Sequence, residues 1–192
     1  MTTSGATTMT YDVANRMIIS ATSTGSAHFS YDTQNRRVWQ WNGAVDQNNN
    51  PVSYSIYYYG ANGKRLVAYT VTLSQVLTNG HISGYTLGSS VVLQDAYFGR
   101  RRLAPMDRIG SAADVGTYPG QQSISFFPYG QDKGMAGAND NWKFATYWRD
   151  SATGLDYAMN RYYSSAIGRF LSPDPYISSA GPSVPQSWNR YG

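Results

Sequence analysis

The chain has 192 residues, 41% apolar and only 14% charged, with a net charge of +4 carried mainly by twelve arginines. All eleven acidic residues are aspartate, lysine occurs only at Lys64, Lys133 and Lys143, and cysteine is absent. This vocabulary disfavours a helical bundle, whose surfaces draw on Glu and Lys, and the lack of Cys excludes disulfides, thiol catalysis and thiolate metal sites. The expected class is mostly β with little helix, as one continuous domain or two small ones. No apolar run approaches the roughly 20 residues that span a bilayer, and Met1-Thr2-Thr3-Ser4-Gly5 lacks the features of a signal peptide. The localisation stays open between a cytoplasmic protein and the interior of a longer exported chain.

Along the chain, Tyr11-Asp12-Val13-Ala14-Asn15-Arg16 recurs as Tyr31-Asp32-Thr33-Gln34-Asn35-Arg36, and a weaker copy follows at Tyr59-Gly60-Ala61-Asn62-Gly63-Lys64-Arg65-Leu66. Each unit reads as a strand ending in Tyr, a tight turn and a return strand beginning near Arg. Asp can bond backbone groups two residues on, and Asn or Gly accepts positive φ. The intervals alternate with period two. Met17, Ile19 and Ala21 run to a turn at Ser23-Thr24-Gly25-Ser26, and residues 27–31 return. Val52, Tyr54, Ile56 and Tyr58 share one face, with Ser53, Ser55, Tyr57 and Tyr59 on the other; Val67, Tyr69, Val71 and Leu73 then alternate with Ala68, Thr70 and Thr72. Gly80-His81-Ile82-Ser83-Gly84 reads as a hairpin tip, and residues 130–141 as a loop. The expected architecture is an antiparallel hairpin meander, with 1–105 carrying the repeats and 106–192 a second segment.

These repeats resemble the YD repeats of the Rhs family, which are shared with the C components of insecticidal toxin complexes and with teneurins. The second segment resembles the Rhs-associated core at Met106-Asp107-Arg108-Ile109-Gly110-Ser111, at Phe127-Pro128-Tyr129-Gly130, and across Arg149 to Tyr157, Asn160 to Tyr163 and Ile167 to Pro175. The resemblance implies a spiralling β-shell that encloses a cargo polypeptide or the remainder of a parent chain, or serves as a surface scaffold. It also implies an intramolecular aspartic protease, in which Arg161 and Asp174 occupy two of the three family positions. The second aspartate would follow the Trp188-Asn189-Arg190-Tyr191-Gly192 run, so the expectation is a fragment with incomplete self-cleavage machinery. Aspartic catalysis needs two carboxylates sharing a proton.

No cofactor and no metal site is expected. His28 and His81 are too far apart in sequence to form a local metal pair, and no phosphate-binding loop or nucleophile elbow occurs. The arginines, including the cluster Arg100-Arg101-Arg102 with Arg108, read as side chains lying on tyrosine faces and pairing with aspartates rather than as nucleic-acid contacts. The alternative function is a small carbohydrate- or polymer-binding or hydrolytic protein. It would stack ligands on Trp142, Trp148 and Tyr162 with Arg101 as a polar contact, and draw carboxylates from Asp95, Asp107, Asp114, Asp150, Asp156 and Asp174. Open sheet edges would favour self-association.

Overall fold

The computed structural model describes residues 2–4, 7–23, 25–41, 43–46, 50–113, 125–133, 140–174 and 191. Contacts divide the chain into two units, Met1–Tyr11 with Ile18–Leu103 and Asp12–Met17 with Ala104–Gly192. Eight strands form one sheet in sequence order: β1 (Thr2–Ser4), β2 (Thr7–Tyr11), β3 (Met17–Thr22), β4 (Gly25–Tyr31), β5 (Arg37–Trp41), β6 (Ser53–Tyr59), β7 (Arg65–Thr78) and β8 (His81–Gln94). Two small pairs follow, β9 (Tyr97–Phe98) with β10 (Arg101–Arg102) and β11 (Ser125–Phe126) with β12 (Asp132–Lys133). A five-stranded sheet, again in sequence order, contains β13 (Asn141–Trp142), β14 (Trp148–Arg149), β15 (Asp156–Ala158), β16 (Arg161–Ser164) and β17 (Arg169–Phe170). The described chain is mostly antiparallel β, and its one helical element is the single turn Phe144–Thr146.

One reversal recurs through the molecule. The Asp12 N–H donates to the Arg16 carbonyl at 2.9 Å, and the Asn15 N–H donates back to the Asp12 carbonyl at 3.0 Å. The Asp12 carboxylate accepts from the Ala14 and Arg16 amides, and its second oxygen takes the Arg16 Nε–H at 2.7 Å. Asp32 reproduces every one of these bonds with Gln34, Asn35 and Arg36. Asn15 and Asn35 sit at φ 60° and 63°, the left-handed region that Asn and Gly tolerate best. The third copy keeps the backbone pattern from Gly60 to Lys64, with Gly63 at φ 77° and Asn62 supplying the side-chain acceptor. The same reversal occurs at Asp107–Ser111, with Gly110 at φ 87°, and at Phe127–Gln131, with Gly130 at φ 85°. Asp46 and Asn50 make its closing bond as well.

The burial pattern departs from simple alternation in a repeated way. Met17 and Ser20, Arg37 and Gln40, and Arg65 and Ala68 are buried at the first and fourth places of β3, β5 and β7. Two residues three apart face the same side only if one extra residue intervenes. The register supplies it, since Ser30 pairs with Trp39 but Tyr31 with Arg37, and Tyr58 pairs with Val67 but Tyr59 with Arg65. A bulge after the turn thus rotates the first residue of each of these two return strands inward. Two residues before each repeat Tyr, Met9, Phe29 and Tyr57 are buried too.

The buried face is therefore not the more apolar one. Tyr57 is buried and opposes Ala68, whereas Tyr58 on the Val52-Tyr54-Ile56 face is exposed. Buried polar groups on the Tyr57 side contact one another: Tyr57 donates to Gln40 Oε1 at 2.9 Å, and the Arg37 guanidinium lies 4.8 Å from the Tyr57 ring and 5.4 Å from that of Phe29. Arg36 covers Tyr59 at 4.9 Å, and Arg65 and Arg102 both pair with Asp95. Arg36, Arg37, Arg65 and Arg102 thus lie on rings or aspartates, as expected, whereas Arg100, Arg101 and Arg108 of the basic cluster are exposed.

Three local expectations are corrected. Thr22 pairs with Gly25, so Gly25 and Ser26 belong to β4 and the first turn is shorter than expected. The hairpin tip is Asn79-Gly80, at φ 53° and 79°, because two consecutive positive-φ residues match the right-handed twist of the strands. Within 130–141, Asp132–Lys133 and the start of β13 are strand rather than loop, and 134–139 lie outside the described residues.

Candidate functional site

Within the second unit, buried charge gathers on and beside β14 and β15. Arg149 and Asp156 are register partners on β14 and β15, which directs both side chains to one face. Arg149 Nε and Nη2 donate to the two Asp156 oxygens at 2.6 and 2.9 Å, the paired geometry in which a planar guanidinium matches a carboxylate. Nη2 also reaches the Gly130 carbonyl at 3.0 Å and Ser165 Oγ at 3.3 Å. Asp132 Oδ2 lies 3.5 Å from Arg149 Nη1 and accepts from the Lys143 ammonium at 2.8 Å. Asp156 is wholly buried, and Lys143 and Arg149 nearly so. Burial works against the Arg149 charge, but the hydrogen bonds and charge of Asp156, with Asp132 behind it, outweigh burial and lift the guanidinium above its usual range. Two cations and two anions thus neutralise one another, which is what a low-dielectric interior requires of charges it retains.

A ring ladder packs in the same unit. Phe144 stacks on Tyr163 at 6.2 Å, and Tyr163 meets both Tyr147 and Phe170. Gly130 seats the ladder: a Cβ there would lie 2.6 Å from the Phe144 ring. At Gly110 a Cβ would lie 2.3 Å from Thr146 Cγ2, so the two turn glycines are needed for space as well as for φ.

Arg161, at the start of β16, is brought to Asp174. Arg161 Nη2 lies 3.7 Å from Asp174 Oδ2, and its guanidinium carbon lies 3.6 Å from the centre of the Phe170 ring. Asp174 keeps about a third of its side chain in solvent, at 34%. Residues 175–190, which follow it, lie outside the described residues. The geometry is that of a partly exposed ion pair.

The other sequence-selected residues separate. Trp148 is buried with Trp142 edge-on at 5.8 Å, and Tyr162 is buried against Tyr157 at 5.4 Å. Trp142 keeps partial exposure, and Arg101 is exposed on β10, in the other unit. Asp95 holds Arg65 and Arg102, Asp107 caps its turn, Asp150 is fully buried, and Asp114 lies outside the described residues. His28 lies 4.9 Å from Trp41 and near Ser26 Oγ, while His81 opens β8. Among the described residues no group of three His, Cys, Asp or Glu side chains could hold a metal, and no helix is long and apolar enough to cross a membrane. Sequence reasoning missed the roles of Asp132 and Lys143, whose spacing carries no turn or periodicity signal. It also missed the pairing of Asp46 with Asn50, which the Asp-to-closing-residue spacing of the repeats could have revealed.

Consecutive hairpins, several closed by one recurrent reversal, make an antiparallel β-meander consistent with a YD-shell-like fold. No family model matches the chain. The crystal structure of TcdB2-TccC3-Cdc42 matches it over 97% of its length, with a TM-score of 0.52, 17% identity and 9% of that chain covered; at this identity the likeness is one of fold. In sequence the chain is similar to the tRNA nuclease WapA of Bacillus subtilis (strain 168) and to the tRNA3(Ser)-specific nuclease WapA of Bacillus spizizenii. Each is 43% identical over 54 residues, which is 28% of this chain and 2% of the relative. The chain thus spans a small fraction of the proteins it matches.

Proposed function

We propose that the chain is a non-catalytic scaffold segment of an Rhs-type, YD-repeat β-shell, with the remainder of a longer parent chain or a cargo polypeptide as its partner. The supporting observation is the fold likeness over nearly the whole chain, joined to a turn that repeats bond for bond at Asp12 and Asp32 and returns at Asp107. In this reading the nuclease activity named for the WapA relatives belongs to other parts of those proteins, since the matched stretch is 2% of them. Polar buried positions such as Arg37 and Gln40 suit a wall that need not be lined by aliphatic side chains. Arg161 and Asp174 serve as an ion pair, and the chain does not cut itself. Electron cryomicroscopy of the product of the whole gene tests the shell: residues 1–192 should form part of a closed wall, and a free-standing domain outside any wall would overturn the reading. Intact mass after prolonged incubation tests the second point, and a defined internal cut lost in Asp174→Ala would overturn it.

A second reading, glycan binding, is favoured by the rings that the register aligns across the partly exposed face of the large sheet. His28, Trp41 and Tyr54 fall in one row, and Trp39, Ile56 and Tyr69 in the next. Binding on a glycan panel that disappears in Trp41→Ala and Tyr54→Ala would establish it; a blank panel would remove it.

A further inference from the structure

From Leu66 to Gln94 the sequence contains no Asp, Glu, Lys or Arg. The stretch folds into β7 and β8, each of 14 residues. β6 accompanies β7 only as far as the pairing of Ser53 with Thr72, so the distal part of the hairpin is a two-stranded ribbon. Such a ribbon is marginal in water by itself. Yet it leaves Leu77, Tyr85 and Leu87 exposed, Leu87 at 71%, and farther along β8, opposite Tyr69, Val91 is exposed at 55%. β8 is the last strand of its sheet, and among the described residues no strand pairs with its outer edge. Natural edge strands are usually short, charged, bulged away or covered. β8 is long, uncharged and apolar in part, and its two bulges, at Ser83 and Val92, fall near its ends and leave residues 84–91 as a regular run.

We propose that β8 pairs antiparallel with β8 of a second copy of this chain, about a two-fold axis, to form one sheet continuous across two molecules. Two features favour a second copy over an unrelated strand. A two-fold axis sets β8 against itself, so any charge near its middle would face its own copy, and β8 has none to be repelled in any register. Its edge is also long enough. The regular run of residues 84–91 between the two bulges, at roughly 3.3 Å per residue and with a sheet about 10 Å thick, gives on the order of 260 Å² per copy before side chains overlap. The exposed Tyr85, Leu87 and Val91 lie on that run and add to the buried area, which is the size of a weak interface in exchange, below the roughly 1,000 Å² of a stable one. The proposal rests on β8 alone. It is measured on this chain in isolation, whereas the shell reading is measured on the whole gene product, so either can fail without the other.

Sedimentation equilibrium over a dilution series tests it. The wild-type chain should show a monomer and dimer in exchange. The double variant Leu87→Lys, Val91→Lys should weaken dimerisation by about tenfold or more, with unchanged far-UV circular dichroism. Phe98→Lys, on β9 and 81% exposed, should leave it unchanged. A wild-type chain that stays monomeric, a dimer indifferent to the lysines, or an open-ended polymer would overturn the proposal. Hydrogen exchange on the wild-type protein gives a readout free of any folding defect in the variant. Protection should rise with concentration in β8 alone, and protection independent of concentration would count against β8 pairing.

Discussion

The two sheets are fixed in place by groups at different distances along the chain. In the large sheet, Asp12 and Asp32 bind partners no more than four residues away, so each reversal is specified within its own hexapeptide. In the small sheet, Arg149 reaches Asp156 seven residues away, Lys143 reaches Asp132 eleven away, and Arg149 reaches Asp132 seventeen away. A local turn can be lost singly, with its neighbours intact. A buried network of charges stands or falls together, because removing one partner strands another away from water.

That difference can be broken most sharply at Asp156. Asp156→Ala should cost about 3–5 kcal/mol in urea unfolding, since it leaves the Arg149 guanidinium buried beside a void; a loss under about 1 kcal/mol would mean that the network is not a unit. Gly130→Ala comes next, at about 2–3 kcal/mol, because the new methyl group meets both a φ of 85° and the Phe144 ring. Thermal melting should show the loss, and near-UV circular dichroism a disturbed ring ladder.

In the large sheet the effects should be smaller and independent. Asp32→Ala removes an acceptor of two backbone amides and an ion pair, for about 1–2 kcal/mol. The same change at Asp12 should add to it, as each carboxylate is held by the amides and arginine of its own turn. Their pH dependence has a definite sign. Burial pushes both carboxyls up, but the hydrogen bonds and charge of Arg16 and Arg36, with the turn amides, outweigh it and hold both below the usual carboxylate range. Their contribution is thus complete above the unfolded value of about 3.9 and fades as pH falls through the lowered folded values. Denaturation of wild type and Asp32→Ala should therefore differ at neutral pH and converge in strong acid. The smallest effect is expected at Asp174→Ala, at most about 1 kcal/mol, because its partly exposed carboxylate sits 3.7 Å from Arg161 in contact with solvent.

The repeats and their turns were legible because their information is local: Asp accepts from amides two and four residues on, and the fourth residue of the turn must accept positive φ. The bulges were not. Nothing in Arg36-Arg37-Val38 or Lys64-Arg65-Leu66 announces that one residue will be extra, and that single insertion puts Arg37 and Arg65 inside. The sequence also invited reading Trp148 and Tyr162 as ligand platforms, since an aromatic side chain looks the same in a core as on a surface. Register settled their burial. Asp132 and Lys143 offered no pattern at all, and their pairing depends on β12 and the segment after β13 meeting in space.

By itself the sequence determined the class of this protein: a cysteine-free, aspartate-only, Tyr- and Arg-rich chain with recurrent Asp turns can bury its surface only by folding hairpin upon hairpin. Tertiary structure alone decided which face of each strand is inside, which charges are neutralised there, and that among the described residues no strand pairs with the uncharged outer edge of β8. The reason is range. A turn is a contract among five neighbouring residues, whereas burial, register and charge pairing depend on segments that are distant in the chain until the sheets have formed.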